Sequence, residues 1–195
     1  MTAMFDDTCN ERTPNDCDGA HDPQVLDLAA LDSGLPGVTE VRARAYAEAA
    51  AVSLDRQGHQ SGVTLHVAGV VKQELRVRYR SATDIARKAW SDDQEATEDG
   101  ACALAFLLVL RLTEFTVIQR SAKGTGIDYW LAHNSDAMFQ SAARLEVSGI
   151  ARGGADVVAR RVRSKLRQTQ RCCSALPAYV SVTEFGTPTS VLEKR

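Results

Sequence analysis

Two acidic residues stand in apolar surroundings. Asp128 enters the run Ile127, Tyr129, Trp130, Leu131, and Glu146 lies between Leu145 and Val147. A carboxylate in such a run is costly to bury unless it is paired or binds a cation. Two of them on neighbouring strands suit a hard divalent ion, Mg²⁺ or Mn²⁺, because Mg²⁺ keeps several waters and needs only one or two protein carboxylates. Such an ion holds a phosphodiester, lowers the pKa of a water and stabilises the leaving oxygen. Structural roles compete with that chemistry. Asp128 can brace the glycine-rich turn before it, and Glu146 can pair with Arg144 or with an arginine of a neighbouring strand.

A second set of residues could meet a phosphate backbone. Arg160, Arg161, Arg163, Lys165, Arg167 and Arg171 crowd one segment. At helical spacing they spread around most of the circumference, which suits either a solvated helix or one that contacts phosphates with a steep salt dependence. The net charge of −2 hides this asymmetry: residues 1–40 carry nine acidic side chains against one Arg, whereas residues 142–171 carry eight basic side chains against Glu146 and Asp156. The acidic segment can keep the chain soluble, or it can cover the basic surface until a partner arrives.

The elements that must position these groups follow from periodicity. Residues 1–36, rich in Asp, Asn, Gly and Pro, predict a disordered tail. Val38, Val41, Ala45, Ala49 and Val52 recur at helical spacing up to a stop at Gly58. Two alternating runs, around Val63–Val67 and Leu75–Tyr79, predict a hairpin through Gly69, followed by a short helix over about Ala82–Trp90. Residues 37–90 are thus read as a small α+β N-terminal extension. Ser91 or Asp92 suits an N-cap for a long helix from Asp93 through Leu112. A strand around Phe115–Ile118, a tight turn at Lys123-Gly124-Thr125-Gly126 and a strand Ile127–Leu131 come next. A third strand, Arg144–Ile150, precedes a Gly153-Gly154 break and a helix from Asp156 to about Arg171. A strand Tyr179–Phe185 ends at Gly186 and Pro188. Residues 91–188 therefore predict an α/β core in the order αβββαβ, with 189–195 as a C-terminal tail.

That order, with its acids, resembles the PD-(D/E)XK nuclease superfamily. There an acidic residue near the start of the second strand precedes a (D/E)-x-K sequence on the third, often with a Glu from the first helix. Here the counterparts are Asp128, Leu145-Glu146-Val147-Ser148 and Glu98, and the stretch Val117 to Asp128 looks most like the Holliday-junction-resolvase branch. The resemblance covers about half the chain. It implies a restriction-endonuclease-like core, a Mg²⁺ or Mn²⁺ cofactor held by Asp128 and Glu146 with Glu98 assisting, and a nucleic-acid substrate, DNA above all. The chain departs from the family at Ser148, where a lysine would orient the attacking water and stabilise charge in the transition state. Lys123 on the turn or Lys165 on the basic helix can replace it. Otherwise the fold persists as an inactive module that binds nucleic acid, through Arg160, Arg161, Arg163 and Arg167, or a protein partner or second copy. Glu95 and Glu98 also lie in the first turns of a helix, where the dipole alone favours carboxylates. A fainter likeness is to proteins of bacterial mobile elements and defence islands, and a further alternative is a subunit of a toxin or defence complex in which the acidic segment covers the basic surface.

Composition narrows the rest. The chain has 195 residues, 44% of them hydrophobic and 25% charged, which suits one globular α/β domain. No apolar run approaches the ~20 residues that cross a bilayer, and residues 1–10 lack the pattern of a secretory signal, so a cytoplasmic protein with no membrane partner is expected. Five cysteines, two of them adjacent at Cys172 and Cys173, suit reduced thiols. Cys9, Cys17 and His21 offer three zinc ligands without an evident fourth. His59, His66 and His133 show no ligand or triad spacing, and Trp90 and Trp130 read as core residues.

Overall fold

The computed structural model describes residues 24–134, 136, 138–170 and 175–195. The expected disorder of residues 1–23, the Cys9, Cys17, His21 group and the Cys172-Cys173 pair lie outside these. The described residues form an α/β fold with one mixed eight-stranded sheet and four α-helices.

In chain order the elements are β1 (Val25–Asp27), α1 (Glu40–Arg56), β2 (Val63–Gly69), β3 (Gln73–Arg78), α2 (Asp84–Ala89), α3 (Asp93–Leu112), β4 (Phe115–Arg120), β5 (Tyr129–His133), β6 (Ala143–Ile150), α4 (Ala155–Thr169), β7 (Ala178–Glu184) and β8 (Thr189–Lys194). A 3-10 turn, Leu28–Leu31, follows β1. The sheet runs β1-β3-β2-β8-β7-β6-β5-β4. β4, β5 and β6 are antiparallel neighbours, and β6 and β7 are parallel, joined by α4.

Helix α3 is the centre of the core. Asp92 caps its start, accepting from the backbone N–H groups of Gln94 and Glu95 at 2.8 and 2.9 Å. From Ala101 to Val109 every residue but Cys102 is buried, so this part of the helix is apolar around its circumference, as expected of one covered on all sides. It is covered by α1 on one side and by the sheet on the other. Two glycines permit this. A Cβ at Gly100 would stand 2.9 Å from the Cα of Ala50 in α1, and one at Gly149 in β6 would stand 2.2 Å from the carbonyl oxygen of Thr97 in α3. Backbone meets backbone at both contacts.

Two segments expected to be tails are part of the sheet. Residues 24–36 supply β1 and bury Leu26, Leu28 and Leu31, each at most 3% exposed. Residues 189–194 form β8, which pairs antiparallel with β7 and parallel with β2. β8 therefore fuses the expected N-terminal extension and the expected core into one continuous sheet. The physical reason is pairing: a short strand such as Thr189–Lys194, with only Ser190 and Leu192 deeply buried and a charged end, is stabilised by hydrogen bonds to two neighbours rather than by its own pattern.

Candidate active site

β6 carries the site. All eight of its residues are buried, and successive side chains face opposite ways. Leu145, Val147 and Gly149 turn to α3, where the first two join the main core. Arg144, Glu146, Ser148 and Ile150 turn to α4, whose Val158 and Val162 pack on Ile150 and on Val180 and Val182 of β7.

On the α4 face every polar side chain of β6 meets a partner from the helix. Arg144 donates to the carbonyls of Leu176 at 2.6 and 3.0 Å and of Thr169 at 3.3 Å, so it ties down the end of α4 and leaves Glu146 to other groups. Glu146, 1% exposed, takes Lys165 Nζ at 2.5 Å and Gln168 Nε2 at 2.8 Å on the same oxygen, Oε1. Ser148 Oγ accepts from Arg161 Nη1 at 2.7 Å. Arg161, Lys165 and Gln168 are spaced four and three residues apart, so a single stripe of α4 lies over β6.

Asp128 reaches the same place from β5. The β5–β6 ladder pairs Tyr129 with Leu145 and ends there, and Asp128 prolongs it: its N–H donates to the carbonyl of Leu145 at 2.9 Å, and its Oδ2 accepts from Val147 N at 2.8 Å. Thr125 and Ser121 brace the glycine-rich turn, with their hydroxyls 2.7 Å apart and Thr125 donating to the carbonyl of Ala122 at 2.9 Å. Asp128 is thereby fixed to β6 rather than to the turn. Its carboxyl and that of Glu146 lie close enough to share a hydrogen bond.

Electrostatics follow from that convergence. Burial, first, and the adjacent Asp128 charge, second, push the Glu146 carboxyl up to about 7, against the opposing pull of Lys165. Glu146 Oε2 is buried and meets no hydrogen-bond donor among the described residues. An orphaned carboxylate oxygen beside a second carboxylate has the chemistry of a cation or proton site. Among the described residues no three His, Cys, Asp or Glu side chains gather, so an ion here would draw two protein carboxylates and complete its shell with water. An open cleft of about 360 Å³ leads to Asp128, lined also by Arg120, Lys123 and Gln168.

The other expected site residues fall differently. Lys123 is exposed at the rim of that cleft, so of the two lysines it is Lys165 that touches a site carboxylate. Glu98 is exposed and accepts from Gln94 at 3.0 Å. Its neighbour Asp99, half-buried, is the α3 acid that interacts with Arg42 and Arg120, and burial raises its pKa in spite of them. Arg160, Arg161, Arg163 and Arg167 are all exposed, but Arg161 alone among them donates inward, to Ser148. Sequence reading missed Gln168 and the inward role of Arg161. Their spacing from Lys165 was a usable signal, hidden by the density of charge on the same helix.

Comparison of the chain with protein-family models, with curated proteins and with solved structures found no match. The assignment of a function therefore rests on the geometry of the site. No helix among the described residues is long and apolar enough to cross a membrane.

Proposed function

We propose that the chain is a divalent-metal-dependent phosphodiesterase of the PD-(D/E)XK type, acting on DNA in the cytoplasm, with its lysine supplied from α4 instead of from the third strand. The observation that carries this reading is the meeting of the partly buried Asp128 and Lys165 on the buried Glu146, one of whose oxygens has no hydrogen-bond partner among the described residues.

Asp128 and Glu146 would hold Mg²⁺ or Mn²⁺, which when bound neutralises a scissile phosphate and acidifies water. The protein groups divide the remaining work. Val147 N fixes the Asp128 carboxylate, and Gln168 and Lys165 fix Glu146, so neither acid needs to reorganise when substrate arrives. Lys165 Nζ stands where an ammonium can hold negative charge that develops on phosphate oxygens. Ser148, in the usual place of the lysine, is engaged by Arg161, so α4 brings two cations to the stretch of β6 where the third-strand lysine is missing. The exposed arginines Arg160, Arg163 and Arg167 supply non-specific attraction for the backbone.

Purified protein incubated with DNA and Mg²⁺ or Mn²⁺ should cut it, and Asp128→Ala should not; equal behaviour of the two removes the hydrolase. A second reading is favoured by Ser148 itself: the fold persists as a module that binds nucleic acid or a protein partner without cleavage. It predicts salt-sensitive DNA binding and no product with either metal.

A further inference from the structure

A second cluster lies on the other face of the sheet, around two buried phenols. Tyr46 of α1 and Tyr129 of β5 place their hydroxyls 2.9 Å apart, both rings being about 1% exposed. Arg42 donates Nε to Tyr46 Oη at 2.6 Å, and Arg120, at the end of β4, donates Nη1 to the same atom at 2.8 Å. The guanidinium of Arg42 also lies over the Tyr46 ring at 5.5 Å, and that of Arg120 over Tyr129 at 5.7 Å. One neutral hydroxyl thus gathers two cations from distant parts of the chain.

Like charges held together need a reason. Both arginines are exposed, and among the described residues neither forms a salt bridge with a carboxylate. Asp99 is the acid whose charge acts on both. One carboxyl against two guanidiniums leaves the pair with net positive charge and unused N–H donors facing solvent. Two planar forks pre-set by aromatic stacking and a shared acceptor match the oxygens of a phosphate group.

Through Arg120 the pair also reaches the site. Arg120 pairs with Tyr129 in the β4–β5 ladder, Ser121 N donates to the carbonyl of Asp128 at 2.7 Å, and Arg120 lines the cleft that reaches Asp128 and Gln168. We propose that Arg42 and Arg120 form a phosphate seat that grips an internal backbone phosphate of the DNA strand beside the one at Asp128 and Glu146, and so fixes the strand's position in the cleft. The seat rests on the reading of the ligand as nucleic acid, but not on cleavage.

Binding of the 195-residue chain to fluorescein-labelled duplex DNA in EDTA tests it without metal. The paired variant Arg42→Gln, Arg120→Gln should bind on the order of tenfold more weakly near physiological salt, and the slope of log affinity against log salt should fall by about two. Arg42→Lys with Arg120→Lys should keep the slope and lose part of the affinity, which separates loss of the seat from loss of the fold. Duplexes with 5′-hydroxyl and 5′-phosphate ends should show the same loss. A loss confined to the phosphorylated end would assign the pair to strand termini and overturn the internal seat, and unchanged affinity and slope in the Gln pair would overturn it outright. Wild-type protein that binds but never cuts removes the hydrolase and leaves the seat standing.

Discussion

The ammonium of Lys165 on α4 lies 2.5 Å from Oε1 of Glu146 on β6, so the basic helix reaches through its own apolar stripe to a buried acid. A cation so placed is buried by its strand partner and yet delivered by a neighbouring element. The same face of β6 carries Ser148 two residues on, which makes the helix the source of positive charge at this point.

Lys165→Met should therefore lower DNA cleavage by at least about a hundredfold, the scale on which loss of a fixed charge-stabilising group acts. Ser148→Lys in that background should recover part of the loss, since Ser148 lies on the same face of β6 as Glu146, the partner of Lys165. Rates measured at saturating Mg²⁺ check both, and a Lys165→Met enzyme of full activity would remove the lysine from the chemistry.

Glu146 makes stability depend on pH in a stated direction. Its folded-state pKa of about 7 lies above the ordinary 4.5, so the folded chain binds this proton more tightly than the unfolded one. The contribution is present below about pH 4.5 and is lost as pH rises through 7. In metal-free buffer the melting temperature should fall between pH 5 and 8, and Glu146→Gln should flatten that fall. Mg²⁺ added at pH 8 should restore part of it by binding the folded form. Thermal melts with and without EDTA read all three.

Neutralising Arg160, Arg163 and Arg167 together to Gln should weaken DNA binding at every sequence tested and reduce the salt slope by about three, because each exposed guanidinium stands for about one released counterion. Arg161→Gln should instead leave the slope nearly unchanged, its guanidinium being turned onto Ser148. Fluorescence anisotropy over a salt series distinguishes the two.

Gly149→Ala should destabilise the fold by about 2 kcal/mol or more, since the new methyl would fall 2.2 Å from the Thr97 carbonyl oxygen and push α3 off β6. For a chain of this size that is a drop of several degrees in Tm. Ala at Gly154, which has nothing within 4 Å of the added atom, should cost little, and calorimetry of the two variants gives the contrast.

The local pattern of the chain was enough to place most elements. Helix α3 with its Asp92 cap, the strands around Asp128 and Glu146, and the apolar stripe Val158 and Val162 of α4 are all short-range signals: periodicity, a capping residue, a glycine-rich turn. The costly burial of Asp128 and Glu146 was legible for the same reason, because an acid in an apolar run can be recognised without knowing what lies across from it.

Tertiary structure alone decided what those acids meet. Lys165 and Arg161 look alike in a helix crowded with charge, and only packing of α4 on β6 selects which two turn inward. Glu98 and Asp99 are adjacent in sequence, and only the orientation of α3 turns Asp99 toward Arg42 and Arg120 and leaves Glu98 in solvent. β8 is a strand because β7 and β2 flank it, and residues 24–36 are ordered because β3 and the core receive them. Side-chain spacing is written along one chain, whereas contact and burial arise between segments far apart in it.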